Sequence, residues 1–358
     1  MWGPILESML IFKNAHNFSV EEMAKLALAQ FESEAELCHY ISELSHLFTK
    51  ERTSLDKYLN DPKFISAYTI FYLPSNYYKL FWLLSKGAGF SSFILDGDFY
   101  DIGSGPGTYS LAILDFFKNK YSKTIYSFES SRLMQQQYTK MLNEFHPNQN
   151  IVQLGFGTKL VENPTATILF GNSLNEMGFE SALKLIDQIN PQNIMMIEPG
   201  TKESFSLSLK LRDDLTSKDY FVYYPCPSGA NCPIAGTKDW CHQYINVSYQ
   251  SDYQRLFQLV RKNRARTPAT CFLLSKRAPT TEHKNVVVGQ LNEDKHSIKF
   301  FLCEKNNDNN KLFQMDILKR GLNKKRQKEL LKIDGGDGID YQLDKLLDTN
   351  RKRIKILE

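Results

Sequence analysis

Three cysteines, Cys226, Cys232 and Cys241, stand at C-x5-C-x8-C spacing in a segment running from Pro225 to His242 that is crowded with proline and glycine. So many breakers exclude a helix or a central strand and leave a loop or a metal knuckle. Thiolates are soft ligands, and a set of four suits tetrahedral zinc or an iron–sulfur cluster; spacing does not separate the two. Of the other cysteines, Cys38 sits on a helical pattern, Cys271 lies in an apolar run beside Phe272 and Leu273, and Cys303 stands in a later strand-like region. The first two fit a packed core, where reduced cysteine behaves as a small hydrophobe. Structural disulfides are not expected, because the chain reads as intracellular.

A second constellation is the string Asp101-Ile-Gly103-Ser104-Gly105-Pro-Gly107, which follows an apolar run and opens a helical pattern. Glycines there allow positive φ and close backbone approach, so in that context the string reads as a nucleotide-binding turn. Glu129, at the end of the next strand-like run, is placed to accept hydrogen bonds from ribose hydroxyls. Gly171-Asn172-Ser173 follows another such run, and Asn172 or Ser173 reads equally well as a ligand contact or a helix N-cap. Glu198, in Ile197-Glu-Pro-Gly-Thr201, ends a further run and lies near the same crevice without a defined role. A third feature is basic: Lys319, Arg320, Lys324, Lys325, Arg326 and Lys328 form the dense stretch expected of phosphate contacts, or equally a solvated helix face.

These residues need elements to position them. From Val20 to about Leu84 apolar residues recur at helical spacing, with Pro74 expected to start a helix or bend the chain. Beyond Gly89 short apolar runs alternate with amphipathic stretches, as in βα repeats on a parallel sheet. Strands are expected at 99–102, 124–128, 167–170, 194–197 and 221–224, with helices at 109–117 and 174–189. Later strands are expected at 269–274, 285–288, 298–303 and 312–317, and Phe300, Phe301 and Phe313 read as core. The domain division is a helical region over 1–86, a Rossmann-like domain over 87–280 with the cysteine-rich insertion at 225–242, and a β-containing extension with a basic tail over 281–358.

The chain has 358 residues, 42% of them hydrophobic, enough for a sizeable core, and a net charge of +4 that does not by itself argue for nucleic acid. No apolar run is long enough to span a bilayer, so no membrane partner is expected. The start, Met1 to Ser8, lacks a secretory pattern, and early Glu7, Glu21 and Glu22 argue against an import leader. The expectation is a bacterial-type cytoplasm or, as a mature organellar form, the mitochondrial matrix, with the protein monomeric when free.

The string from Asp101 to Gly107 resembles the first motif of class I methyltransferases more than that of NAD enzymes. Taken with Pro225-Cys226-Pro227, Cys232-Pro233, Trp240-Cys241-His242 and Ile-Glu-Pro-Gly-Thr, it resembles the methyltransferase-like family of mitochondrial small-ribosomal-subunit assembly proteins and their bacterial relatives, from about Tyr68 to Asp337. The resemblance implies a class I S-adenosylmethionine-dependent methyltransferase fold. It also implies S-adenosylmethionine held by Asp101, Gly103, Ser104, Gly105, Gly107, Glu129, Asn172 and Ser173. It further implies a [4Fe-4S] cluster, or alternatively zinc, on Cys226, Cys232, Cys241 and Cys303. The implied partner is the small ribosomal subunit or its precursor, through ribosomal RNA. Ser228 stands where a histidine often follows Cys-Pro, and Gln243 replaces an aromatic. No catalytic residue follows, and a non-catalytic assembly factor with a structural or redox-sensing centre is the alternative.

Overall fold

The computed structural model describes residues 12–50, 59–87, 89–155, 158–279, 284–306 and 309–357. The leader reading at Met1 to Ser8 therefore lies outside the described residues. Among the described residues four helices precede the first strand: α1 (Val20–Leu26), α2 (Glu34–Lys50), α3 (Pro62–Lys86) and the short α4 (Phe90–Ile94). Asp61 caps α3 by accepting from the Lys63 amide at 2.7 Å, and Pro62 occupies its first turn, where a missing N–H costs nothing. Pro74 does not start a helix, the first of the two roles expected of it, but sits inside α3. A proline there cannot bond the carbonyl four residues back. The carbonyl so released, that of Ile70, accepts the Tyr253 hydroxyl at 2.7 Å instead. Every residue from Ile65 to Leu84 except Tyr68 is buried, so α3 is a core helix. Among the described residues no helix is long and apolar enough to cross a membrane.

The βα rhythm follows as β1 (Phe99–Ile102), α5 (Thr108–Phe117), β2 (Ile125–Phe128), α6 (Arg132–Phe145), β3 (Ile151–Leu154), β4 (Thr167–Gly171), α7 (Leu174–Met177), α8 (Phe179–Ile189), β5 (Asn193–Pro199), α9 (Lys202–Thr216) and β6 (Phe221–Tyr224). The single helix expected over 174–189 is two, broken at Gly178, whose φ of 79° is left-handed. After the cysteine segment come β7 (Gln243–Asn246), α10 (Ser251–Leu259) and β8 (Arg266–Ser275). The sheet has eight strands in the order β3-β2-β1-β4-β5-β8-β6, with β7 also on β8. Strands β1 to β5 pair in parallel, whereas β8 runs antiparallel to β5, β6 and β7. A mostly parallel, doubly wound sheet with one reversed strand near its edge is the class I methyltransferase architecture expected from the sequence. Helices α1 to α3, α5, α6 and α10 bury one face, and α7 to α9 the other.

A second, five-stranded sheet follows, built from β9 (Asn285–Glu293), β10 (Ser297–Asn306), β11 (Asn309–Leu318), β12 (Tyr341–Asp348) and β13 (Arg351–Ile356), in the order β12-β13-β11-β10-β9. The short α11 (Lys324–Leu330) packs Leu330 into its core. Phe300 is buried there, but Phe301 is 48% exposed, against the expectation that both are core, because adjacent strand residues face opposite sides. The two sheets lock together at residues 334–337. Lys86, at the end of α3, pairs with Asp337, and the Tyr224 hydroxyl donates to the Gly335 carbonyl at 2.9 Å.

Gly336 tests that lock. It holds φ of 91°, and a Cβ there would lie 1.8 Å from the Tyr224 hydroxyl, whereas Gly321, at φ of 92°, has nothing within 4 Å. Gly321→Ala should cost only the left-handed strain of about 1 kcal/mol, and Gly336→Ala about 1–3 kcal/mol more from overpacking. Urea unfolding of both variants measures the difference; equal losses would mean that Tyr224 yields freely.

Candidate functional site

The glycine loop joins β1 to α5 at the carboxyl edge of the parallel sheet, where doubly wound folds hold their ligands. Its three glycines all have positive φ, 68° at Gly103, 51° at Gly105 and 89° at Gly107, but they serve different ends. A Cβ on Gly103 would lie 2.5 Å from the Ser173 Cβ, so this glycine lets the β1 and β4 loops approach. One on Gly107 would lie 2.6 Å from the Leu142 side chain, so that glycine lets α5 seat against α6. Gly105 has nothing within 4 Å and leaves an open face where a ligand can approach the backbone. Ser104 turns inward, its hydroxyl 2.7 Å from that of Ser127.

Asp101 is fully buried and accepts from the Ser110 amide and hydroxyl at 3.1 and 2.7 Å through Oδ2, while Oδ1 has no partner. Burial pushes its carboxyl up to about 7, against the pull of the Ser110 bonds. Glu129 lies beside the loop as expected, but its carboxylate is engaged by the protein itself. Oε2 accepts from the Gly105 amide at 3.0 Å, and Oε1 from the Ser131 amide at 2.8 Å.

Across the loop, Asn172 has φ of 58° and donates to the Tyr109 hydroxyl at 2.9 Å. Ser173 is the N-cap of α7 by position, yet its hydroxyl makes no capping bond and is buried without a partner. The cap comes from the next strand: Glu198 Oε1 accepts from the Leu174 amide at 2.9 Å. Glu198 is fully buried, its Oε2 is unpartnered, and burial pushes the carboxyl up to about 8. Two contributors were not legible in the sequence. Tyr109 lies so close over the end of β4 that a Cβ on Gly171 would be 2.1 Å from its ring. Lys79 of α3 is buried, and burial, with Arg264 nearby, lowers its ammonium to about 7.

The cysteine segment connects β6 to β7, and both strands lie along the same edge of β8, which anchors the loop at each end. Its middle is tied to the second sheet. Asn310 donates to the Ala230 carbonyl at 3.1 Å, the Ser228 hydroxyl donates to Asn310 Oδ1 at 2.8 Å, and Asn231 bridges to Asn309. This brings Cys303 on β10 to the loop, and Cys226, Cys232, Cys241 and Cys303 line one apolar pocket with Phe205, Leu209 and Phe272. As they stand, no group of three or more His, Cys, Asp or Glu side chains among the described residues is arranged to hold a metal ion. Burial raises all four thiols, Cys226 to about 11, and at Cys241 the three other thiols of the pocket add to the rise. Cys271, in the same chain region, is buried in β8; its amide donates at 3.1 Å to Gln243, whose Nε2 lies 3.7 Å from Cys241 Sγ.

The basic stretch divides. Lys319 clasps the β9–β10 turn through Glu293 and the Asp294 carbonyl, both at 2.6 Å, and Arg326 pairs with Glu329 at 3.4 Å. Arg320, Lys324, Lys325 and Lys328 are exposed. Lys324 and Lys325 occupy the first turn of α11, where the helix dipole disfavours cations, so the helix itself gains nothing from them.

Fold and loop together define the class: a methyltransferase-type α/β domain with a glycine-rich turn at the carboxyl edge of its sheet and a separate pocket lined by four cysteines. The chain belongs to the family described as mitochondrial small ribosomal subunit Rsm22, which it matches over residues 62–330. Among curated proteins none matches the chain. Solved structures similar to it include a Pyrococcus horikoshii protein proposed to be an RNA methyltransferase (12% identity, 53% of this chain and 81% of that one, TM-score 0.34). Another is precorrin-6y C5,15-methyltransferase of Geobacter metallireducens (14% identity, 52% and 87%, TM-score 0.33). A third, from Streptococcus pneumoniae, is proposed to be a tRNA (m1A22) methyltransferase and was solved with S-adenosyl-L-methionine (10% identity, 52% and 69%, TM-score 0.30). Likenesses this distant carry no argument about substrate or activity.

The raised carboxyls predict a pH dependence of stability. Folded Asp101 and Glu198 keep their protons up to about 7 and 8, well above their ordinary 3.8 and 4.5. Between those limits the folded state binds more protons than the unfolded one, so stability falls as pH rises and levels off above 8. Asp101→Asn and Glu198→Gln keep an accepting oxygen and should each flatten that fall in urea titrations at stepped pH. A slope unchanged in both variants would show that neither carboxyl retains its proton.

Proposed function

We propose that the protein binds S-adenosylmethionine at the 101–107 loop and acts on small-subunit ribosomal RNA, as a methyltransferase or a methyltransferase-like assembly factor. Family membership over residues 62–330 carries the reading, and the open face at Gly105 supports it. The cofactor would lie against the backbone of Gly103 to Gly107, with Asp101, Ser104, Glu129, Asn172 and Ser173 around it. When bound it supplies the transferable methyl group; the protein's part is to position the acceptor. The unpartnered oxygens of Asp101 and Ser173 mark where further polar contacts are wanted. The ribosomal partner implies the compartment of that ribosome, and the family's description favours the mitochondrial matrix. A non-catalytic assembly role is the second reading, favoured by one observation: the Glu129 carboxylate is already engaged by the Gly105 amide of the loop and the Ser131 amide of its own turn.

Arg320, Lys324, Lys325 and Lys328 are the RNA contacts in this reading, with Lys319 and Arg326 holding the fold around them. Incubating the protein with labelled S-adenosylmethionine and small-subunit particles from a strain lacking it should give methyl incorporation into ribosomal RNA. Firm cofactor binding without incorporation would leave the assembly role. Replacing Lys324, Lys325 and Lys328 with Gln should weaken particle binding and reduce the salt slope by roughly 2–3; an unchanged slope removes this surface from the interface.

The same proposal places a [4Fe-4S] cluster, with zinc as the alternative, on Cys226, Cys232, Cys241 and Cys303. The donor chemistry fits, although the thiols are not grouped around a metal as they stand: three from the loop between β6 and β7 and one from β10 line one apolar pocket. In such a site the metal centre would supply cross-linking, because ligands from the loop and from the second sheet must be gathered to hold it. Anaerobic preparations should contain iron with matching sulfide, and Cys303→Ser should lose it and lower the melting temperature. Zinc without sulfide would replace the cluster by a knuckle, and full metal content in Cys303→Ser would remove the fourth ligand.

A further inference from the structure

Among the described residues the largest fully buried side chain is that of a cation, Arg212, on α9. It points into the layer between α9 and the cysteine segment. Nη1 donates to the Ala230 carbonyl at 3.0 Å and more weakly to that of Ser228 at 3.5 Å. Nη2 lies 2.7 Å from Asp213 Oδ1 without the angle of a hydrogen bond, and Nε is buried with no partner. An ionised guanidinium has five N–H donors and does not lose its charge. With no water contact it needs anionic compensation. Asp213 supplies only part, because half of its side chain is in solvent, which screens the pair.

The carbonyls that Nη1 grips, those of Ser228 and Ala230, lie between Cys226 and Cys232 in the loop, so the guanidinium is held beside the thiols; its charge favours the thiolates of Cys226 and Cys232, which that of Asp213 opposes. Thiolate ligation leaves a net negative charge whether four of them hold zinc or an iron–sulfur cube. We propose that Arg212 is the counter-charge of the four-cysteine site, a positioning residue that balances the negative centre from behind while its Nη1 fixes the loop at Ala230. The inference rests on the metal reading of the previous subsection but not on which metal is held. The same charge is what a buried, incompletely paired guanidinium lacks, so the centre and Arg212 would each offset the other's desolvation.

The test uses full-length protein purified anaerobically and compares metal content and the rate of metal release to EDTA at stepped pH. Arg212→Met removes both charge and carbonyl contact and should speed release about tenfold. Arg212→Lys keeps the charge and should retain most of the slow release. Asp213→Asn removes the competing anion at a half-exposed position and should slow release below that of the unaltered protein, a change of opposite sign that a merely structural arginine would not produce. Equal release from the Met and Lys variants, or release from Asp213→Asn as fast as or faster than from the unaltered protein, overturns the counter-charge while leaving the metal reading intact. If Arg212→Met does not fold, the sign of the Asp213→Asn effect decides. Unaltered protein that takes up neither zinc nor iron and sulfide overturns the metal reading, and the counter-charge falls with it.

Discussion

Strand β8 is the constraint on which the rest of the molecule depends. It runs against its neighbours and is buried from Thr267 to Ser275 except at Pro268, with alternate residues facing the two helical layers. At ten residues it spans about 33 Å, much longer than β6 or β7. One edge of β8 therefore has room for both short strands end to end, while β5 occupies the other. The chain leaving β6 must return to the same edge to form β7, and the cysteine segment is that detour. Its ends are fixed by a sheet ladder although the segment has almost no regular structure of its own. A loop so held can present thiols at set positions, which is what a ligand set requires.

The fold was legible where periodicity carries it. Short apolar runs set off by glycines marked β1, β2, β4, β5 and β6, and the loop from Asp101 to Gly107 announced itself by context. Strand β3 escaped because it is only half-buried and carries Gln153 on its exposed side, so its alternation is weak. Strand β12 escaped because it is mostly exposed, with Leu343 and Leu346 outward, and β13 because its sequence is mainly cationic. The reversal of β8 was invisible because apolar alternation reads the same in both directions. Site roles that depend on tertiary contact were equally hidden: Glu198 caps a helix that follows a different strand, Tyr109 covers Gly171, and Arg212 resembles any other helical arginine. That Pro74 lies inside a helix was hidden because the carbonyl it releases is taken by Tyr253, far along the chain.

Burial of ionisable groups distinguishes the two sites. Around the glycine loop the buried groups are carboxyls, Asp101 and Glu198, which respond to desolvation by holding protons, so that little net charge is left behind the open face of Gly105. Lys79 answers the same pressure by tending to lose its proton. Near the cysteine pocket the buried ion is a guanidinium, which has no neutral form within reach. Its charge must be met by neighbours rather than by titration. Neutral backing suits a site that takes a ligand carrying its own charges, whereas a fixed cation suits one whose ligands are themselves anionic.

Helix α9 connects the two environments. It starts at Thr201, whose Oγ1 accepts from the Ser204 amide at 3.2 Å, directly after the strand that ends in Glu198 and Pro199. Its fifteen residues span about 22 Å, and Arg212 lies near its far end. Asn175 of α7 donates to the Ser204 hydroxyl at 2.5 Å, which ties the first turn of α9 to the helix that Glu198 caps. The far end is held by the Ala230 carbonyl. One end is thus fixed to a short helix and the other to the cysteine segment, and the helix between them is regular throughout. A strut of this kind transmits position. Allosteric coupling would need an element with two discrete arrangements that both sites bias. The connection seen here is a shared frame: α9 ties the cysteine segment to the helix that Glu198 caps.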